Sequence, residues 1–190
     1  MKRIIIMALT GIMMAGCTST MPPKISIDNN YNTLGVKTAS VTMDCSNVKS
    51  DNIDAASVPD YCQILHSAAK AAIRKKTGYS ITDNADNPAD LGINIKLEEI
   101  YGGNAVARTM VGLGAGRSAI TAFVGISKEG KVIAEGRLIE TSTLPDVVGN
   151  AWSNDEIIMH DIGTLGGKIG DFVVNPRDFE EKQDGPGYRH

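Results

Sequence analysis

Three sets of residues in this 190-residue chain have types and spacings that could do chemistry. The first is Gly112-x-Gly114-x-Gly116 followed by Arg117, with Arg108 just upstream. Consecutive backbone amides beside two guanidinium groups could hold an anion. It is not a dinucleotide fingerprint, which needs G-x-G-x-x-G between a strand and a helix, and it lacks the Gly-Lys-Ser/Thr of a P-loop. The plainer reading is a bend feeding a hairpin, with glycines where Cβ atoms would clash. The second set is His66, His160 and His190 with their acidic neighbours. None sits in a metal-ligating spacing such as H-E-x-x-H, and all three are expected in solvent. His160 and Asp161 are adjacent, so on a helix they point about 100° apart and form no dyad. Ser118 follows the glycine segment but precedes a strand, the wrong context for a nucleophile elbow. The chain is therefore read as having no catalytic site, no metal and no cofactor.

The third set is the cysteines, Cys17, Cys45 and Cys62. Lys2 and Arg3 precede an apolar run, Ile4 to Ala15, which passes through Gly16 to Cys17. A basic start, a short apolar stretch and small residues describe a secretory signal. The run is about twelve residues, too short to span a bilayer as a helix. Small residues ending on a cysteine resemble a bacterial lipobox. The resemblance implies that residues 1–16 are removed and that Cys17 is acylated. Several acyl chains, at about 0.8 kcal/mol per buried methylene, would hold the chain on a membrane. Thr18 in place of aspartate implies, by the same resemblance, an outer-membrane address facing the periplasm; an inner-membrane address is the lesser alternative.

In such a compartment Cys45 and Cys62 form an even pair. A disulfide would close a loop of roughly seventeen residues, worth about 3 kcal/mol in the chain-entropy model. Two free buried thiols, or a redox pair near a helix start, are the alternatives. The formal net charge of the full chain is -3, and removing Lys2 and Arg3 leaves -5. A mildly acidic domain beside anionic lipid or nucleic acid is expected to bind neither by charge.

The elements that would position these residues read as a single domain. Residues 17–24 form an acylated tether, 25–174 the domain and 175–190 a mobile charged tail. Strands are expected over 34–43, 79–82, 91–99, 118–126 and 131–141, with 25–31 a strand or part of the tether. Leu91, Ile93, Ile95 and Leu97 alternate with Gly92, Asn94, Lys96 and Glu98, the pattern of a half-buried strand. Lys128-Glu129-Gly130 makes a hairpin turn. A first helix runs from Ser57 as N-cap to Thr77, with Pro59 in its first turn and Gly78 as terminator. Its buried face is expected to carry Tyr61, Leu65, Ala68 and Ala72, with Ile64 and Ala71 alongside.

The second helix opens on a Ser153–Glu156 capping box and runs to about Val174. Ile158, Ile162, Leu165, Ile169, Phe172 and Val173 form one stripe, and Gly163, Gly166, Gly167 and Gly170 a second beside it. Each glycine costs about 1 kcal/mol relative to alanine, so the stripe needs close packing to compensate. Its partner is either the alanine face of the first helix (Ala68, Ala69, Ala72) or another chain. On the second reading Gly163, Gly167 and Gly170 are an interaction surface for an envelope protein or a second copy; a broken helix is the third. The fold class expected is α+β: a mostly antiparallel sheet of four to five strands with two helices on one face.

Val111 to Ser118, followed by an alternating strand, a tight hairpin at Ser127-Lys128-Glu129-Gly130 and Val132-Ile133-Ala134-Glu135, resembles a group of bacterial lipoproteins, the domain-of-unknown-function family 4410. Members usually carry a longer, more polar turn. The likeness spans roughly residues 90–170 plus the lipobox. It implies a small α+β periplasmic domain and carries over no functional residue. Two functions are expected. One is a non-enzymatic lipoprotein, anchored by acyl chains on Cys17, that docks on an envelope complex. The other is a small-ligand or anion-binding lipoprotein using Arg108, Gly112, Gly114, Gly116 and Arg117.

Overall fold

A computed structural model of the chain describes residues 25–82, 89–103, 117–142 and 153–179. Within them lie seven strands: β1 (Ile25–Ile27), β2 (Thr38–Asp44), β3 (Lys49–Asp51), β4 (Ser80–Thr82), β5 (Leu91–Tyr101), β6 (Ala119–Lys128) and β7 (Lys131–Thr141). Two α-helices, α1 (Val58–Thr77) and α2 (Asn154–Val174), accompany them. The sheet order is β1-β7-β6-β5-β2-β4, with β3 pairing the far end of β5.

The α+β class and the two helices on one face hold; the strand count and direction do not. β5, β6 and β7 form the expected antiparallel meander, but β2 runs parallel to both β4 and β5, and β3 runs parallel to β5. The physical reason is α1. It carries the chain back along the sheet from the end of β2, so β4 re-enters in the direction of β2, as a crossover requires. Side-chain alternation reports which face is buried and nothing about strand direction.

Sequence periodicity locates β5 because its inward residues Leu91, Ile93, Ile95 and Leu97 are all buried. A bulge between Leu97 and Glu99 then resets the alternation, so Ile100 returns to the core. The strand expected over 34–43 starts later, at Thr38. Residues before it form a turn in which the Leu34 amide donates to Asn32 Oδ1 (2.7 Å) and Gly35 takes φ +82°.

α1 keeps its expected end at Gly78, left-handed at φ 75°, whose amide bonds to the Arg74 carbonyl. Its start is corrected. Ser57 makes no side-chain cap bond; Asp54 instead accepts from the Ala56 amide and caps a short 3-10 turn, Ala55–Ser57. The buried face is also turned from expectation, with Tyr61, Leu65, Ala69 and Ile73 inside and Ala71 exposed. At α2 the capping box forms as expected, Ser153 and Glu156 each accepting from the other's backbone amide. Beyond it Phe179 folds back on Phe172, ring centroids 5.6 Å apart and nearly perpendicular. No helix among the described residues is long and apolar enough to cross a membrane.

Candidate functional site

The helices lie side by side because α2 presents no side chain where they cross. A Cβ on Gly166 would lie 2.6 Å from the Ala68 Cβ, and one on Gly170 2.9 Å from the Ala72 Cβ. Both glycines are buried in this seam. The glycine stripe expected as one surface is thus divided. Gly170 belongs to the seam, whereas a Cβ at Gly163 or Gly167 would meet nothing within 4 Å. Met159 and Val174, both exposed, fall within about 80° of Gly163 and Gly167 around the helix.

α1 and α2 both start at the end of the sheet where β5 and β7 finish. There the Tyr61 hydroxyl donates to Asp155 Oδ1 (2.8 Å), tying the two first turns together. Burial, with this hydrogen bond second, pushes the phenol up to about 12. The disulfide Cys45–Cys62 joins the chain after β2 to the first turn of α1, with Cα atoms 6.5 Å apart.

The same end holds the buried polar groups. The Ser118 hydroxyl donates to Asp161 Oδ2 in a very short contact, and both residues are 0% exposed. His160 Nδ1 lies 3.4 Å from Asp161 Oδ1. On β7, Glu140 takes an inward position; Lys168 Nζ sits 2.7 Å from its Oε2 and donates to the Ile139 carbonyl (3.0 Å). That Lys168 approach is an ion pair off the hydrogen-bond direction, so Glu140 Oε2 has no hydrogen bond among the described residues.

His160 is exposed, as expected, but the reading that it and Asp161 point apart without meeting is corrected by this contact. Asp161 sits in the buried stripe with Ile158, Ile162 and Leu165, and its carboxylate accepts from one side while the imidazole of its neighbour reaches the other. The signal was present: an acid at core spacing on an apolar helix face needs a buried partner. The order is serine–aspartate–histidine. In a hydrolytic triad the imidazole stands between and takes the hydroxyl proton; here the hydroxyl donates its hydrogen bond directly to the carboxylate, and Ser118 is closed to solvent. The arrangement fastens the start of β6 to α2.

The remaining expected site residues fall as follows. Arg117 is exposed. Cys17, Arg108, Gly112, Gly114, Gly116 and His190 lie outside the described residues. His66, expected in solvent, is partly buried, its Nε2 3.2 Å from the Val41 carbonyl. Among the described residues no group of three His, Cys, Asp or Glu could hold a metal ion.

The sequence matches, over residues 24–143, the family described as a domain of unknown function, DUF4410, and the chain belongs to that family. The match begins one residue before β1 and ends two after β7, so it takes in the whole sheet and α1 but not α2, where the expected likeness ran from about 90 to 170. No curated protein matches the chain. Among solved structures it is similar to the PelC dodecamer from Paraburkholderia phytofirmans, at 12% identity and a TM-score of 0.49 over 77% of this chain and 94% of that one. It is also similar to protein XCC0632 from Xanthomonas campestris, of the family DUF330, at 9% identity and a TM-score of 0.45 over 84% of this chain and 97% of that one.

Proposed function

We propose that this member of the DUF4410 family is a lipid-anchored bacterial envelope protein without an enzymatic site, held on the periplasmic face of the outer membrane by acyl chains on Cys17 and acting as a docking or accessory component of an envelope complex. The observation that carries this is the run of small residues into Cys17 with the first paired strand starting only eight residues later, at Ile25. The folded domain is then held within about 26 Å of the lipid, at about 3.3 Å per residue. The burial of Ser118 and Asp161 supports a non-enzymatic reading, because this serine–carboxylate pair beside a histidine is closed to substrate. The open side of α2 supports docking: Gly163 and Gly167 leave it flat between the exposed Met159 and Val174, which permits close approach of a partner helix, from an envelope protein or a second copy.

Metabolic labelling with a fatty-acid analogue tests the anchor. The wild type takes up label and Cys17→Ser does not; an unlabelled wild type overturns the reading. Docking is tested by Gly163→Leu and Gly167→Leu, which should leave the melting temperature near that of wild type and lose the complex from solubilised envelopes. If the complex survives both, that face of α2 is not the docking surface.

A further inference from the structure

The two ends of the domain differ in chemistry. At the end where the helices start, Asp44, Asp51, Asp54, Asp60, Asp155 and Glu156 outnumber Lys49 and Arg117 among the described residues. The opposite end holds the β6–β7 hairpin, the turn before β2 and the last turn of α1. There Lys37, Lys128, Lys131 and Arg177 are matched by Asp28, Asp90, Glu129 and Asp178, and among the described residues the surplus is positive because Arg74, Lys75 and Lys76 stand with Asp171, the partner of Lys76.

This second end also carries the most exposed large apolar side chain among the described residues. Leu34 is 82% exposed, at the tip of a turn held by Asn32 and by the Val36 amide bonding to the Thr33 carbonyl (3.2 Å). Lys128 Nζ donates to the Asn32 carbonyl (3.4 Å), and Lys131 pairs with Asp28 (2.6 Å), so the turn and the hairpin form one surface. Val132, 54% exposed, lies on that hairpin. Apolar tips ringed by lysines are the footprint of a protein resting on an anionic lipid surface, with the apolar groups at the acyl boundary and the ammonium groups on phosphate.

We propose that the hairpin end of the domain rests on the anionic phospholipid surface, with Leu34 and Val132 entering the interface and Lys37, Lys128 and Lys131 beside them on headgroup phosphates. This rests on the anchor at Cys17. The tether does not choose between the ends, since Ile25 pairs with Gly136 midway along β7 and either end is about 17 Å away. The charges do, because they act within a Debye length of about 8 Å once the domain is held there. β1 itself runs toward the hairpin end, antiparallel to β7.

The test uses acylated full-length protein in vesicles of phosphatidylethanolamine with phosphatidylglycerol. In a Trp152→Phe background, single tryptophans are placed by Leu34→Trp, Val132→Trp or Arg117→Trp, and brominated lipids report which of them reaches the bilayer. Quenching at 34 and 132 at least twofold greater than at 117, weakened by 0.5 M salt without release from vesicles, is the expected result. Vesicle-bound protein with equal quenching at all three positions, or more at 117, overturns the docked end while leaving the anchor intact. Protein that does not float with vesicles overturns the anchor and the docked end with it.

Discussion

Gly170 of α2 lies so close to Ala72 of α1 that a methyl group placed on it would stand 2.9 Å from the Ala72 Cβ and 3.1 Å from the Ala72 carbonyl carbon. One turn earlier Gly166 stands in the same relation to Ala68. The cost of glycine in a helix is offset here by a backbone approach that no other residue permits.

The four glycines of α2 should therefore separate into two classes on substitution by alanine. Gly166→Ala and Gly170→Ala force the helices apart and should destabilise by about 1–3 kcal/mol. Gly163→Ala and Gly167→Ala add a methyl in open space and should stabilise by up to about 1 kcal/mol through the unfolded chain. Thermal unfolding of the four variants decides it. A uniform shift in one direction would show that the seam is not where these contacts place it.

Asp161 and Ser118 should behave as a coupled pair. Ser118→Ala leaves a buried carboxylate oxygen without its donor, at about 1–3 kcal/mol. Asp161→Asn keeps the shape but exchanges acceptor for amide. In a double-mutant cycle the two losses should fall short of additivity by at least about 0.5 kcal/mol, as expected for residues in one network. Strict additivity by urea denaturation would mean that the hydroxyl and the carboxylate do not share a proton in solution.

Much of this fold was legible because its core is built on simple periods. The alternation over Leu91–Leu97 and the capping box at Ser153 and Glu156 both appear where expected. β3 escaped notice because Lys49-Ser50-Asp51 is wholly exposed and has no apolar alternation; only its pairing with Glu99–Tyr101 makes it a strand. Parallel pairing was hidden for the reason α1 supplies. Asp161 and Glu140 stand apart from the apolar stripes by residue type, although each occupies an inward position in its element's period. The glycine stripe was seen as a unit because helical angle alone does not say how far the neighbouring helix extends. Only the contacts separate Gly166 and Gly170 from Gly163 and Gly167.

Removing the Cys45–Cys62 link should cost about 3 kcal/mol, the entropy of freeing a loop of its size. Cys45→Ser with Cys62→Ser is the cleaner variant, since either single change leaves a thiol free to pair between molecules. The double variant should unfold at lower urea concentration than the oxidised wild type, and the reduced wild type should match it. An oxidised wild type no more stable than the reduced form would mean that the bond carries strain equal to its entropic benefit.

Asp90 gives the domain a specific weakness in acid. Its Oδ2 accepts from the Lys37 amide (2.8 Å), the Thr38 amide (2.9 Å) and the Thr38 hydroxyl (3.0 Å), joining the start of β2 to the start of β5. The Lys37 amide, then the two Thr38 groups, hold its carboxyl below the ordinary 3.8. A carboxyl whose folded value is depressed contributes stability that is fully present above the unfolded value and is lost as pH falls through the folded one. Asp28, lowered chiefly by Lys131, and Asp44, lowered chiefly by the Ser46 amide, add to the same loss. Asp90→Asn still offers one acceptor oxygen to this junction but carries no charge at any pH. Wild type should therefore be more stable than the variant at pH 7, and the gap should narrow as pH falls below 3.8 and through the depressed folded value. Urea midpoints for both proteins across that range measure it. A gap that stays constant down to the acid limit would show that Asp90 works through its shape and not its charge.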